Sequence, residues 1–190
     1  MPRLFTGIEL PEDIRDALAD LEQPLPAATW VEQDNLHVTL RFVGDIDNRL
    51  ARDFADELSR IDLDVFEIRL EGLGVFGGRD PRTLWAGVSP STSLDALARA
   101  HERAARSVGL APETRTFKGH VTLARLRGVP IDGLTRLLER EALFRSRPFV
   151  VEHFTLFSSR PRVGGGPYVA EEEFALRGAS RSPTDLSAED

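Results

Sequence analysis

The feature that most constrains this chain is a tetrapeptide that occurs twice, far apart in 190 residues. His37-Val38-Thr39-Leu40 returns as His120-Val121-Thr122-Leu123. The recurrence is informative because its leading residue is scarce: the whole chain has four histidines. An internal repeat indicates related structural units. If the two halves form pseudo-symmetric lobes, both His-Thr pairs can face one cleft.

The spacing within each copy predicts a strand with two different faces. Residues two apart in a β-strand point to the same side. On the first strand, one face would then carry His37, Thr39 and Arg41. The opposite, apolar face would consist of Leu36, Val38, Leu40 and Phe42. On the second strand, His120 and Thr122 would lie opposite Val121 and Leu123. Each copy therefore buries an aliphatic row and presents an imidazole beside a hydroxyl.

Elsewhere, apolar periodicity predicts strands interleaved with helices. The predicted strands cover residues 4–10, 30–31, 36–43, 65–70, 84–88, 121–123, 149–157 and 174–176. The predicted helices cover residues 11–21, 50–61, 94–108 and 131–144. A glycine-rich turn region is predicted at Gly72, Gly74, Gly77 and Gly78. Strands that alternate apolar and polar residues favour an α+β fold over a doubly wound parallel sheet.

Length and composition exclude several classes of protein. The chain has no cysteine, which excludes a disulfide scaffold, a thiolate nucleophile and a Cys-ligated metal. Its net charge of −7 argues against extended, sequence-independent binding to duplex nucleic acid or to a membrane surface. No signal peptide or membrane-length apolar run is visible, so we expect a cytoplasmic protein. Residues 1–177 suit a single domain, and residues 178–190 predict a disordered polar tail.

Two imidazoles and two hydroxyls around one anion suit a phosphodiester. One neutral histidine can take a proton from water while a second, protonated histidine gives one to the leaving oxygen. Unperturbed histidine titrates near neutrality, so both forms are accessible. Threonine hydroxyls can donate to the non-bridging oxygens and orient phosphorus between the imidazoles. This scheme requires no metal and no cofactor.

With these motifs the chain resembles the two-histidine (2H) phosphoesterases, and most closely their RNA 2′,3′-cyclic phosphodiesterase family, also called 2′-5′ RNA ligase or LigT-like. The resemblance covers about residues 2–177. It rests on residues 3–5, 8, 10–11, 30–31, 35–44, 72–76, 81–85, 87–88, 117, 120–125, 154, 156–157, 159 and 166–168.

The resemblance implies a bilobal pseudo-twofold fold, each lobe an antiparallel sheet with outer helices, around a central groove. It also implies hydrolysis of a 2′,3′-cyclic phosphate to a 2′-phosphomonoester. His37 would be the proton donor and His120 the proton acceptor, and the two symmetric motifs do not by themselves distinguish these roles. Thr39 and Thr122 would hold the phosphate, with added charge from Arg125.

Further substrate contacts are less specific. The chain has Lys118-Gly119 before His120, where the family often has a proline directly preceding the histidine, and Lys118 can add a basic contact. Arg41 shares a motif with His37 and is a candidate contact. Trp85 and Tyr168 can either stack on a nucleobase or pack in the core. Phe42 is expected to pack in the core row.

The two remaining histidines have simpler explanations. His153 begins a third H-x-T-L, but the family pattern asks for no histidine there, so a strand-surface role is expected. His101 lies on the apolar stripe of a predicted helix and is expected to be structural. The Gly164–Gly166 run is not followed by a P-loop pattern, so it is not expected to bind phosphate. We expect a flexible turn there that can act as a lid over the groove.

Alternative functions stay open. A 2H phosphoesterase for nucleoside cyclic phosphates or 2′-5′-linked oligonucleotides, including the reverse ligation, would use the same groups. A noncatalytic module that binds RNA ends would be expected to lose one histidine, and both are present. A metal site would need a third ligand at characteristic spacing, and none stands out. The expected partner is an RNA terminus or a small cyclic-phosphate nucleotide, bound by a monomer.

Overall fold

Each copy of the repeated tetrapeptide opens a β-strand in the computed structural model, which describes residues 3–159 and 168–180. The strands are β1 (Arg3–Glu9), β2 (Ala28–Trp30), β3 (His37–Asp45), β4 (Phe66–Ile68), β5 (Leu70–Phe76), β6 (Thr83–Val88), β7 (His120–Leu126), β8 (Phe149–Val151), β9 (His153–Ser159) and β10 (Tyr168–Ala175). The helices are α1 (Glu12–Ala19), α2 (Asn48–Leu58), α3 (Thr92–Ser107) and α4 (Ile131–Arg140), with one 3-10 turn at Gln33–Asn35.

The main sheet has the strand order β10-β9-β1-β3-β7-β6-β5, and β2 also pairs with β7. Strands β4 and β8 form a separate two-stranded sheet. Every pairing between these named strands is antiparallel. The predicted α+β class with antiparallel sheets is therefore confirmed. We refer to β10, β9, β1 and β3 as the His37 half and to β7, β6 and β5 as the His120 half.

The two halves of the main sheet meet at the two strands that carry the repeated tetrapeptide. Strands β3 and β7 pair at Val38 and Val121, which occupy the same position in the two tetrapeptides. An antiparallel pair between equivalent residues implies a local twofold axis through that pair. Continuing this register places His37 opposite Thr122 and Thr39 opposite His120. In that register the histidine of each copy lies across from the threonine of the other copy.

The apolar faces of the strands form the core. Val38 and Val121 are fully buried, as are Leu97 and Ala105 of α3, which packs against β3. The Ser91 side chain caps α3 by accepting a hydrogen bond from the Leu94 amide at 3.2 Å. Because the helix covers the aliphatic side of β3, the side that carries His37 and Thr39 stays open to the groove.

Two of the predicted elements are divided or displaced. The predicted turn region begins too early, because Gly72 and Gly74 lie inside β5 and only Gly77 and Gly78 lie in a turn. Gly72 has a φ of +72° at an irregularity in the β5–β6 register, a conformation that glycine adopts readily. The predicted strand 149–157 is divided at Glu152, since β8 pairs with β4 while β9 enters the main sheet.

At the C-terminal side, β10 begins at Tyr168, six residues before the predicted start of the last strand. Ser180 donates two hydrogen bonds to the Glu152 carboxylate, at 3.0 Å from its amide and 2.6 Å from its hydroxyl. Described structure therefore extends three residues into the predicted tail. The rest of that tail, 181–190, and the predicted Gly164–Gly166 turn lie outside the described residues. No helix among the described residues is long and apolar enough to cross a membrane.

Candidate active site

A β-bulge in each motif strand decides which side chains reach the groove. In β3 the pairing with β1 goes from Thr39 directly to Arg41, and in β7 the pairing with β6 goes from Thr122 directly to Ala124. One extra residue on the bulged strand reverses the alternation beyond it. The fifth residue after each histidine therefore returns to the groove face. That residue is Phe42 in β3 and Arg125 in β7.

This geometry corrects two expectations. Phe42 was predicted in the core row, but its side chain is 56% exposed on the groove face, where its ring centroid lies 6.0 Å from that of Phe5. Arg41 was a candidate substrate contact on the His37 face, but it is 9% exposed and points to the opposite side. Strict alternation places His37 and Thr39 on one face correctly. It fails for the next residues of β3, because the bulge inserts one extra residue after Thr39.

Arg41 is bound inside the fold. Its Nε donates to Oε2 of Glu102 on α3 at 2.7 Å. Its two Nη groups donate to the main-chain carbonyls of Phe42 and Ala111. Glu102 in turn accepts a hydrogen bond from the amide of Glu113 at 3.2 Å. This network ties α3 and the loop after it to the bulge of β3.

The imidazole of His37 is held in one tautomer. Its Nδ1–H donates to the carbonyl oxygen of Asn35 at 2.7 Å, which leaves Nε2 as the nitrogen available for chemistry. The Thr39 hydroxyl lies 3.0 Å from that Nε2. Aromatic rings surround the imidazole, with centroid distances of 4.9 Å to Phe5 and 5.3 Å to Tyr168. His37 is therefore oriented on three sides.

His120 repeats the same arrangement. Its Nδ1–H donates to the carbonyl oxygen of Lys118 at 2.7 Å, again two residues earlier. The ring centroids of Phe76 and Trp85 lie 5.0 and 6.2 Å from the imidazole. The Lys118 ammonium lies 4.1 Å from the Trp85 ring centroid, in cation–π contact. The departure at Lys118 thus supplies both the anchor carbonyl and a positive charge beside His120.

Burial and positive neighbours lower the pKa of both imidazoles. Desolvation is the main cause for His37, with smaller contributions from the charges of His120 and Arg125, against the hydrogen bond to Asn35. Desolvation is also the main cause for the lowered pKa of His120, helped by the charge of Lys118. Because the charges of His120 and Arg125 lower the pKa of His37, positive groups of the His120 half are close enough to act on the His37 site. An anion bound between them would be stabilised.

Arg125 and the two threonines complete a set of phosphate-binding groups on the groove face. Thr39 and Thr122 are half-buried, and Arg125 is exposed. No ion pair holds Arg125 among residues 3–159 and 168–180, so its guanidinium is available to an anion. Hydroxyl and guanidinium donors around a site flanked by two imidazoles can bind a phosphate and move protons on either side of it.

Sequence reasoning missed the aromatic residues that enclose the histidines, apart from Trp85 and Tyr168. Phe5 and Phe157 pair across β1 and β9 and stack at 5.0 Å, and Phe76 lies beside Trp85. The sequence predicted part of this arrangement, because Phe5 and Gly7 lie two residues apart on a predicted strand and therefore share one of its faces. Its orientation toward the groove needed the strand order β9-β1-β3, which local periodicity does not contain.

The other histidines behave differently. His101 is fully buried, and its Nδ1–H donates to the Leu97 carbonyl at 2.9 Å, as a structural residue should. His153 lies on β9, and its Nε2 is 3.9 Å from a Glu173 carboxylate oxygen at the strand surface. Within the described ranges no group of three or more histidine, aspartate or glutamate side chains is arranged to hold a metal ion.

Comparison with known proteins identifies the family of this chain. A family model described as LigT like Phosphoesterase matches residues 8–85 and 87–168. The RNA 2′,3′-cyclic phosphodiesterase of Aquifex aeolicus is 31% identical over 184 residues, covering 93% of this chain and 98% of the relative. That of Aeropyrum pernix is 37% identical over 128 residues, covering 66% and 71%. The crystal structure of E. coli LigT with 3′-AMP superposes with a TM-score of 0.75 at 27% identity, covering 93% of this chain and 98% of that one. The chain belongs to the LigT-like phosphoesterase family.

Proposed function

We propose that this protein hydrolyses the 2′,3′-cyclic phosphodiester at an RNA terminus, or in a small cyclic-phosphate nucleotide, to a 2′-phosphomonoester. The observation that carries the proposal is the pair of identically anchored imidazoles at the head of β3 and β7, each followed by a groove-facing threonine. The activity named for the Aquifex and Aeropyrum relatives supports it.

In the proposed mechanism the two histidines divide the proton transfers. Nε2 of His120 accepts a proton from water as the water oxygen attacks phosphorus. The new P–O bond forms as the bond from phosphorus to O3′ breaks. His37, protonated at Nε2, gives its proton to O3′, and the phosphate remains on O2′. The pair returns to its starting state when one proton moves from His120 to His37 through solvent.

The neighbouring donors act on the charge that builds up at phosphorus. Thr39 and Thr122 donate to the non-bridging oxygens, and Arg125 neutralises the added negative charge. Donors fixed on strands need no reorganisation during the reaction, which is the main source of such electrostatic stabilisation. Lys118 adds positive potential on the His120 side through its position over Trp85.

The scheme assigns every proton transfer to a histidine, so we propose that it needs no metal ion and no cofactor. Hydrolysis of a cyclic-phosphate substrate should proceed at the same rate with and without EDTA. Loss of activity in EDTA that returns with a divalent cation would contradict the proposal.

The principal test uses an RNA oligonucleotide that ends in a 2′,3′-cyclic phosphate, with the product position identified by mass spectrometry and selective phosphatase treatment. We expect a 2′-phosphate, and losses of about 10²–10⁴-fold in kcat for His37→Ala and for His120→Ala. His153→Ala is the matched control, because it removes a histidine from an H-x-T-L on the same sheet outside the groove and should keep full activity. A 3′-phosphate product would reverse the leaving-group assignment.

The acid and base roles can be separated by changing the leaving group. A substrate with sulfur in place of O3′ expels a thiolate, which needs no protonation. The defect of His37→Ala should then shrink strongly, while that of His120→Ala should remain. The opposite pattern would exchange the two roles.

We further propose that the protein acts as a monomer in the cytoplasm. Both histidines, both threonines and Arg125 come from one chain, so no second subunit is required to complete the site. Sedimentation at assay concentration, with activity measured on the monomer fraction, tests the first point.

A further inference from the structure

A cavity of about 180 Å³ opens beside His37, away from the His120 half. It lies between the 3-10 turn before β3, the start of α1 and the ends of β1, β9 and β10. The residues that matter for its chemistry are Glu9, Arg15, Asp34, His37, Phe157 and Tyr168. The proposed catalytic groups other than His37 do not line it.

The mechanism indicates which part of the substrate would reach this cavity. His37 protonates O3′, so the ribose that carries O3′ must lie on the His37 side of the phosphate. The nucleobase is attached to the same ribose. It therefore has to be accommodated next to His37, whereas the attacking water occupies the His120 side.

The size and walls of the cavity suit a single base. Sites that enclose drug-sized ligands measure roughly 300–1,000 Å³, so a volume of about 180 Å³ fits one ring system. Phe157 and Tyr168 supply aromatic surface, with ring centroids 5.9 and 5.3 Å from the His37 imidazole. Stacking on aromatic side chains is the usual way in which proteins hold an unpaired RNA base.

The polar groups of the cavity have a definite donor and acceptor pattern. The Nε–H of Arg15 is buried and has no hydrogen-bond partner within the described part of the chain, while its Nη1 lies 3.3 Å from Asp34. Glu9 supplies a carboxylate whose pKa is raised, mainly by burial and then by the charge of Glu173, and is lowered in part by the charge of Arg15. Glu9 and Arg15 both line the cavity and are close enough for their charges to interact, and the contact of Arg15 with Asp34 is exposed.

We propose that this cavity is a nucleobase subsite that selects guanine, an inference that rests on the function proposed above. Guanine presents two adjacent donors, N1–H and N2–H₂, which the two oxygens of Glu9 can accept. Its O6 lies next to N1 and can accept from Arg15. Adenine at the same place presents one amino group beside an unprotonated ring nitrogen, whose lone pair would face a carboxylate oxygen.

The test measures kcat/KM for the 2′,3′-cyclic monophosphates of guanosine, inosine, adenosine, cytidine and uridine. We expect guanosine to exceed adenosine by about 10-fold or more, the range of a bidentate contact. Inosine lacks N2–H₂ and should lie between them. Glu9→Gln should lower kcat/KM for guanosine by about 10-fold and leave adenosine nearly unchanged. Glu173→Gln is the matched control, since Glu173 neighbours Glu9 but does not line the cavity.

Binding of 2′-GMP and 2′-AMP, measured by calorimetry on wild type and Glu9→Gln, separates this inference from the proposed function. Turnover without base preference, or an equal loss on all five substrates in Glu9→Gln, would overturn guanine selection and leave the function standing. Absence of turnover with tighter binding of 2′-GMP, lost in Glu9→Gln, would support the subsite and overturn the function. Absence of both would overturn both.

Discussion

Replacing Arg41 by methionine should weaken the fold and spare the reaction. Methionine keeps much of the buried apolar stem but removes three donors. The lost bond from Nε to Glu102, 2.7 Å long, is charge-assisted, and such bonds contribute about 1.5–3 kcal/mol. Glu102 is 27% exposed and keeps the amide of Glu113 as a donor, so its charge is not stranded. We therefore expect a loss of about 2 kcal/mol, below the roughly 3–5 kcal/mol for breaking a fully buried pair.

Urea denaturation at pH 7 measures this change, with kcat/KM on a cyclic-phosphate substrate determined in parallel. Arg125→Met is the matched control, because the same substitution is made five residues after His120 on an exposed, groove-facing position. It should change stability by no more than about 0.5 kcal/mol and lower kcat/KM by about 10–100-fold, through loss of one charge-assisted bond to phosphate. If Arg41→Met kept wild-type stability and lost as much activity as Arg125→Met, the assignment of Arg41 to the inner face would be refuted.

The buried histidines and the close approach of β1 to β3 lead to three further predictions. Because burial lowers the pKa of both proposed catalytic imidazoles, the bell-shaped pH profile of kcat/KM should be centred below 6.5. Arg125→Met should move the alkaline limb of that profile to higher pH, because it removes a charge that lowers the pKa of His37. A centre above 7 would contradict this. Burial lowers the pKa of His101 to about 4, so the unfolded state binds the proton first and stability falls from pH 6.5 toward pH 4, by on the order of 3 kcal/mol. His101→Leu should flatten that part of the denaturation profile, and parallel profiles would refute the argument. In Gly7→Ala the new Cβ would lie 2.8 Å from the Val38 carbonyl oxygen, so β1 must shift away from β3. We expect the free energy of unfolding, measured by denaturation, to fall by about 1–3 kcal/mol. Unchanged stability would exclude this contact.

Sequence reasoning located the proposed catalytic face but not its full extent. The period of two places His37 with Thr39 correctly, because the strand is regular up to Leu40. It fails at Arg41 and Phe42, since a bulge depends on the partner strand and its pairing. The same bulge in β7 is what brings Arg125 to the groove. That residue was found through the family resemblance, whereas strict alternation from His120 would have excluded it.

The turn predicted for the glycine-rich segment before β6 was wrong in part for a related reason. Gly72 and Gly74 are turn-forming residues by local chemistry, yet both lie in β5. A Cβ on Gly74 would overlap the indole ring of Trp85 on the neighbouring strand. Glycine is therefore needed there for close approach of a side chain, a requirement that becomes visible only when β5 and β6 are paired.

The repeat explains why there are two imidazoles, and the strands outside it explain why they can differ. Both histidines use the same carbonyl anchor two residues earlier, so the motif alone assigns them no separate roles. His37 is enclosed by Phe5, Phe157 and Tyr168, of which the last two come from β9 and β10 at the end of the chain. His120 lies instead under the more open side that carries Lys118. An enclosed imidazole beside a base-sized cavity suits the leaving ribose, and an accessible one suits water. The division of labour proposed for the two histidines thus has its physical origin in sequence far from either motif.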